Sequence, residues 1–524
     1  MSATRQARAR TRRAPPWLWV AALIIVVPIV APLVSIVVKV VADPSWELIW
    51  SSRTGRLLTN TMLLVVAVTG AAGAVGIGAA WVVTRIDIPF RRLWTTLLAL
   101  PLVMPSYVLA LALLAASGPR GTISLLTGTT IPSIQGFGGA WLALTLTTYP
   151  YVFLVATVSL RQMDPALEEA ARGLGASRWR VFRTIVLGQL RPALGASGLL
   201  VALYTLSDFG AVSLMRFDTF TRAIYTQWSV RLDRTPALSL AVVLVMLAAV
   251  ILVIEQMSRG RATYYSTRPT RLPGAHRTSG WGRLGVLVAI GLIVLFGLAI
   301  PISVLVFWLA RGIRSGQTLV ALQDPAIRSA AVSLLAAMVG AVAAVPVAVL
   351  AVRFPGRGTR WLERGVWSVY ALPHITVAVA ILYMTVTLVR PLYQSLIVLV
   401  AAYVALFLPQ ASGAVQSALR QVNPHVEEAS RSLGAGQLTT LLRITVPLIG
   451  RGLISGGALI FLTVMKELPA TLLLRPTGFE TLAVQIWQQS SEGLYTRASA
   501  AALVLLAISS VPMFLIATRD LRHD

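Results

Sequence analysis

Two segments of the chain repeat each other closely: RQMDPALEEAARGLGA at residues 161–176 and RQVNPHVEEASRSLGA at residues 420–435. Ten of the sixteen positions are identical, at a constant offset of 259 residues. The chemistry they suggest is contact rather than bond making. Asp164-Pro165 and Asn423-Pro424 place an N-cap residue before a proline at the first helical position. Glu168 and Glu169, or Glu427 and Glu428, follow in or just after the first turn, where the helix dipole favours acids. Gly175 and Gly434 mark the stop, as C-cap glycines do. The small runs Glu169-Ala170-Ala171 and Glu428-Ala429-Ser430 permit close approach. Each segment therefore reads as a short surface helix on which a partner docks. The plainer alternative is a surface helix lying against neighbouring elements.

A second pair of equivalent segments carries ionisable groups within apolar stretches. Asp208 lies in TLSDFGAVSLMR and the Lys466-Glu467 pair in VMKELPATLLLRP. Ionisable residues inside a membrane span are costly and mark functional sites by default. Asp208 and Glu467, with Tyr204 nearby, could line a pathway, since hard cations favour oxygen ligands. Equally, Lys466 and Glu467 could pair with neighbours and pin helix geometry. Arg216 and Arg475 close the two segments, either to meet acidic patches on a docking protein or to anchor span ends.

Other chemistry is excluded or weakly supported. The chain has no cysteine, which removes disulfides, thiolate metal sites, iron–sulfur clusters and cysteine nucleophiles. His276, His374, His425 and His523 are scattered, and no His/Asp/Glu group has catalytic spacing, so no catalytic or metal-binding residue is assigned. A phosphate-binding P-loop needs Gly-Lys-Ser/Thr. Lys39 and Lys466, the only lysines, lack that context.

The elements that must position these residues are set by composition. Of 524 residues, 56 % are hydrophobic and 12 % charged, with mean hydropathy +0.77. A soluble domain carries about 25 % charged residues, so this chain belongs in a membrane. Apolar stretches near the roughly 20 residues that cross a bilayer recur at 17–42, 59–83, 95–116, 137–160, 190–212 and 236–256. They recur again at 282–310, 329–352, 366–388, 394–418, 450–474 and 497–518. Twelve spans are predicted.

The net charge of +26 arises from 45 Lys and Arg against 19 Asp and Glu. Nucleic-acid binding is one reading of such basicity, but an excess of cations in cytoplasmic loops accounts for it in a membrane protein, and no nucleic-acid partner is expected. The N-terminal stretch carries Arg5, Arg8, Arg10, Arg12 and Arg13, followed by an apolar run longer than that of a cleaved signal peptide. It reads as retained, with both termini in the cytoplasm. Thirty arginines then fall on segments predicted inside and thirteen outside.

The repeat extends across the chain. Upstream of the paired loops the offset becomes about 268, pairing Arg85 with Arg353 and Pro105 with Pro373. Both halves hold six spans, so the copies share one orientation, as parallel repeats of transporters do. The expected organisation is a cytoplasmic N-terminus at 1–16, a first six-span half at 17–256, a basic linker at 257–281, a second half at 282–518 and a cytoplasmic tail at 519–524.

At this point the sequence resembles a known family, the permeases of ABC importers. Glu169-Ala170-Ala171, Gly175, Ile185 and Leu187 match its EAA loop, and Glu428-Ala429-Ser430, Gly434, Ile444, Val446 and Pro447 match it again. The departures are Gly188 for the closing proline, Ser430 for the third small residue and Val446 for leucine. The resemblance implies an all-α, type I permease fold in the cell membrane, with the loops acting as coupling helices for two ATP-binding subunits, a homodimer. ATP and Mg would reside on those subunits, leaving this chain without a cofactor or an enzymatic site. The family also implies an extracytoplasmic binding protein that delivers the substrate. The segments SDFGAVSLMR…FTRAIYTQW and KELPATLLLRPTGFETLAVQIW are most similar to fused ferric-iron permeases. Thiamine, polyamines, sulfate and aminoethylphosphonate are the alternative cargoes. A secondary transporter is the rival class, and would need no repeated docking helix.

Overall fold

The computed structural model of the protein describes residues 14–43, 46–164, 166–230, 234–258, 280–316 and 322–520. Most of the expected basic N-terminus, the linker and the last four residues lie outside these, as do Pro165, His276 and His523. Every regular element among the described residues is a helix.

The first repeat opens with α1 (Pro16–Ala42) and α2 (Ser52–Arg85), a helix capped by Ser51, whose hydroxyl accepts from the Thr54 amide at 3.2 Å. Then come α3 (Arg91–Ala99), α4 (Ser106–Ala116), α5 (Gly136–Gln162) and the short α6 (Ala166–Gly173). It continues with α7 (Trp179–Ser207), α8 (Gly210–Leu214), α9 (Phe220–Val230) and α10 (Thr235–Ser258). The second repeat runs through α11 (Gly280–Arg314), α12 (Gln323–Arg353), α13 (Arg357–Tyr370), α14 (His374–Leu388) and α15 (Leu396–Gln421). It ends with the short α16 (Pro424–Ser432), α17 (Gln437–Leu448), α18 (Gly450–Met465), α19 (Pro469–Leu474), α20 (Leu482–Ser491) and α21 (Tyr495–Asp520).

Eight of these helices are long and apolar enough to cross a membrane, or eleven spans if each of three bent pairs counts as one. The expectation of twelve continuous spans is corrected at 95–116 and 366–388, each bent within the stretch, and at 450–474, which α18 and α19 share across a break at 466–468 with a further bend just before it. Arg91–Val103 meets α4 at 94°, α13 meets α14 at 107°, and α17 meets α18 at 71°. Pro105 and Pro373 stand immediately before α4 and α14, where the missing amide and the fixed φ of proline stop the preceding helix. The twelfth stretch, 497–518, falls on α21.

Spans pack through small residues. A Cβ on Gly76 of α2 would lie 2.7 Å from the Val152 Cβ and 2.9 Å from the Phe153 amide nitrogen of α5. Gly456 of α18 meets the Ala411 Cα of α15 just as closely, at 2.9 Å. Without a hydrophobic drive between helices in lipid, such close backbone approach is a principal source of association.

Two compact units form. Among the described residues, one comprises those of 14–43, 323–484 and 508–520, the other those of 46–322 and 485–507. In the first, α1 packs along α12, α13 and α14. In the second, α11 packs on α3 and α4. The leading helix of each sequence repeat thus belongs to the compact unit built from the other repeat.

Candidate functional site

The repeated segments form the short helices expected, and their ends are built by local bonds. The Ala166 amide donates to Asp164 Oδ1 at 2.9 Å, and the His425 amide to Asn423 Oδ1 at 3.0 Å. Gly175 and Gly434 have φ of +85° and +88°, a left-handed conformation that side-chain-bearing residues rarely adopt. The Ala176 amide reaches back to the Ala171 carbonyl at 3.0 Å, and the Ala435 amide to the Ser430 carbonyl at 3.2 Å. Both loops are Schellman ends.

The acids divide between two faces. Glu169 is exposed, while Glu168 is 5 % exposed. Glu428 is exposed and bonds the His425 Nδ1 at 3.0 Å, while Glu427 is 5 % exposed. Consecutive residues on a helix point about 100° apart, from 3.6 residues per turn, so with Glu168 and Glu427 turned inward the next acid in each helix points to the exposed side. Ala170 and Ala429 are exposed, Ala171 is half-buried, and Ser430 is buried with its hydroxyl 3.1 Å from that of Thr440. Of the residues expected on a docking face, Glu168, Glu427 and Ser430 therefore face the body of the chain.

Leu174 and Leu433, just before the turn glycines, are 90 % and 88 % exposed. Sequence reasoning passed over them, although both sit in the identical Leu-Gly-Ala ending.

Shortly after each repeated loop, Phe182–Val186 and Leu441–Thr445 wind as single π-turns at the same register. The halves then diverge. Gly188 lets α7 run on to Ser207, whereas Pro447, its counterpart, sits two residues before the break at Ile449. The departure from the loop motif at Gly188 thus coincides with an unbroken helix.

The acids of the second pair of segments sit where α7 and α18 end. Asp208 Oδ1 accepts from the Ala211 and Val212 amides at 2.9 and 3.3 Å, capping α8. Glu467 Oε1 accepts from the Ala470 amide at 3.1 Å, capping α19. The second oxygen of each carboxylate crosses to the bent span: Asp208 accepts from the Ser106 hydroxyl at the start of α4, and Glu467 pairs with His374 Nδ1 at the start of α14. Both acids are buried and bonded through both oxygens. Each carboxylate thus bridges a helix break to a bent span.

Tyr204 tilts against Tyr151 with ring centroids 6.0 Å apart, and Lys466 is half-buried at the end of α18. Arg216 is exposed in a left-handed conformation, whereas Arg475 is half-buried with Nη1 3.3 Å from the Phe479 carbonyl. The two arginines, equivalent in sequence, are not equivalent in structure. Gln227 on α9 and Gln485 on α20 are buried, and their Oε1 atoms have no hydrogen-bond partner among the described residues. A buried polar group without a partner is costly, and no charge or motif had singled these two out. No group of three or more His, Asp or Glu that could hold a metal exists among the described residues.

Comparison with known proteins bears directly on this architecture. A family model described as binding-protein-dependent transport system inner membrane component matches residues 72–315 and 336–520. The chain is 30 % identical over 512 residues to the Fe(3+)-transport system permease protein FbpB 2 of Haemophilus influenzae, covering 96 % of this chain and 98 % of that protein. It is 25 % identical to the ferric transport system permease protein FbpB of Actinobacillus pleuropneumoniae, covering 86 % and 69 %. The molybdenum transport system permease protein ModB of Escherichia coli is 31 % identical, with 99 % of its length matched by 43 % of this chain. A permease of about half the length thus corresponds to one repeat.

Proposed function

The chain belongs to the family of binding-protein-dependent transport inner-membrane components, and from that premise we propose that it is the permease of an ATP-driven importer whose cargo is ferric iron. The full-length similarity to an Fe(3+)-transport permease carries the choice of cargo. A substrate-binding protein and ATPase subunits are the partners the family implies. Two identical ATPase subunits suit two docking helices that share one glycine-turn ending and one exposed acid.

In this reading the termini and the docking helices α6 and α16 face the cytoplasm. ATP and Mg are bound by the separate subunits, and their closure moves the docking helices. Glu169 and Glu428, with Leu174 and Leu433, meet the ATPase, because these side chains are exposed on the repeated loops at equivalent positions. Small residues at 170 and 429 let the partner approach the helix backbone. Asp208 and Glu467 border the pathway as pins of its helix breaks. Lys466 and Tyr204 are further candidates for the pathway, as are Gln227 and Gln485, buried with Oε1 atoms that have no hydrogen-bond partner among the described residues. Exposed Arg216 is the better placed of the two arginines to meet a binding protein.

The test is ATPase activity in proteoliposomes containing this chain and its ATPase subunit. The binding protein would be loaded in turn with ferric iron, thiamine, a polyamine, sulfate and aminoethylphosphonate. Stimulation by the ferric form alone is the expected result. Stimulation by another cargo instead would discard iron and keep the importer. Absence of coupling with every partner would favour a secondary transporter.

A further inference from the structure

Each buried acid of the docking helices is clamped by two arginines in the same way. Arg85 Nη2 lies 2.6 Å from Glu168 Oε1, and Arg172 Nη2 lies 3.8 Å from Glu168 Oε2. In the other half Arg353 Nη2 lies 3.1 Å from Glu427 Oε1, and Arg431 Nη2 lies 3.7 Å from Glu427 Oε2. One carboxylate oxygen faces the arginine that is the last residue of a long span, α2 or α12. The other faces an arginine one turn along the docking helix itself.

We infer that Arg85–Glu168 and Arg353–Glu427 are positioning pairs that fix each docking helix to the end of its long span, so that motion of the helix is passed to α2 and α12. This rests on α6 and α16 being the sites where the ATPase docks. Helices of eight and nine residues are marginal alone. Their close backbone neighbours are the turns that follow them, at 178–186 for α6 and 437–440 for α16. Those segments run through the π-turns at 182–186 and 441–445 into the rest of α7 and toward α18. The ion pairs reach 83 and 74 residues back along the chain instead, to the ends of rigid helices of 34 and 31 residues. An apolar contact of the same size could hold the helix equally well, but it would let the helix slide. A charged fork on a single carboxylate sets one register.

The halves differ in how much rests on the pair. Glu427 also accepts from the Thr445 hydroxyl at 3.2 Å, and Arg353 also donates to the Val422 carbonyl at 3.0 Å. The counterpart of Thr445 in the first half is the buried, apolar Val186. Glu168 therefore depends more heavily on Arg85 than Glu427 does on Arg353.

The experiment compares transport per ATP hydrolysed, together with ATPase-subunit binding, in the reconstituted full complex. With Glu168→Gln and Glu427→Gln combined, ATPase-subunit affinity is expected to hold within about twofold while cargo moved per ATP falls about tenfold. Glu168→Gln alone should account for most of that fall. The charge swap Arg85→Glu with Glu168→Arg should recover most of the ratio. An unchanged ratio in the glutamine variants would overturn the inference. So would a swapped protein that inserts yet couples no better than Glu168→Gln, and this second comparison decides the matter if the double variant fails to insert. Glu169→Lys with Glu428→Lys, run alongside, separates the two ideas. If those uncouple and the glutamine variants do not, the positioning role fails and docking stands. If neither set uncouples, the docking assignment itself has failed.

Discussion

Glu467 holds His374, with Oε2 2.9 Å from Nδ1, at the place where Asp208 in the other repeat holds the Ser106 hydroxyl. Ser106 and His374 are each the first residue after a proline that bends a span, and Asp208 and Glu467 each cap the short helix beyond a second break. A broken helix in lipid leaves backbone groups that must be satisfied within the protein. These acids satisfy part of both breaks and tie them together.

The neutral isosteres should therefore behave almost as the native acids do. Asp208→Asn and Glu467→Gln keep an oxygen for the cap amides and an amide that can bond serine or histidine. Their thermal unfolding in detergent should match the native chain, with transport largely retained. Asp208→Ala and Glu467→Ala should each lose about 1–2 kcal/mol from the cap alone. Native stability combined with abolished transport in the isosteres would show that the charge itself contacts cargo.

Glu169→Lys with Glu428→Lys reverses the exposed charge on both docking helices without touching the buried pairs. Membrane insertion should be normal, with cargo-stimulated ATPase and uptake lost. Normal uptake in the double variant would remove these acids from the docking surface.

Leu174 and Leu433 offer an apolar contact that costs the free permease nothing to lose. Burying one leucine side chain is worth about 1.5–3 kcal/mol, so Leu174→Ser or Leu433→Ser should weaken ATPase-subunit binding about tenfold or more. The melting temperature of the isolated permease should not move. Unaltered affinity in the double variant would place the leucines outside the interface.

Gly76 and Gly78 stand two residues apart on α2 and should respond oppositely. An added Cβ at Gly78 meets nothing within 4 Å, whereas at Gly76 it meets α5 backbone and the Val152 Cβ below 3.0 Å. Gly78→Ala should be neutral or stabilising by about 0.5–1 kcal/mol. Gly76→Ala should destabilise by about 1–3 kcal/mol through overpacking. Size-exclusion profiles of fluorescently tagged variants would distinguish them, and equal behaviour would mean that α2 and α5 do not pack as described.

Much of this was legible in the residues because it depends on short stretches of chain. Apolar runs identify spans, and Asp164, Asn423, Gly175 and Gly434 mark helix ends through bonds to groups within a few positions. The doubled loop carried the resemblance, and the family match agrees with it over both repeats. Even the break at Asp208 could have been read, since an acid followed by the small residues of Phe-Gly-Ala suits a cap.

The tertiary structure decided what lies across the chain. Sequence alone establishes a membrane-embedded, duplicated, helical permease with two capped surface helices. It does not say that of two adjacent glutamates the first turns inward, because that choice belongs to an arginine 83 residues away. Nor does it pair Glu467 with a histidine 93 residues upstream, or assign α1 and α11 to the units built from the opposite repeats. A cap is a bond between neighbours and is written locally. A buried charge is placed by whatever partner offsets its desolvation, and only folding brings that partner near.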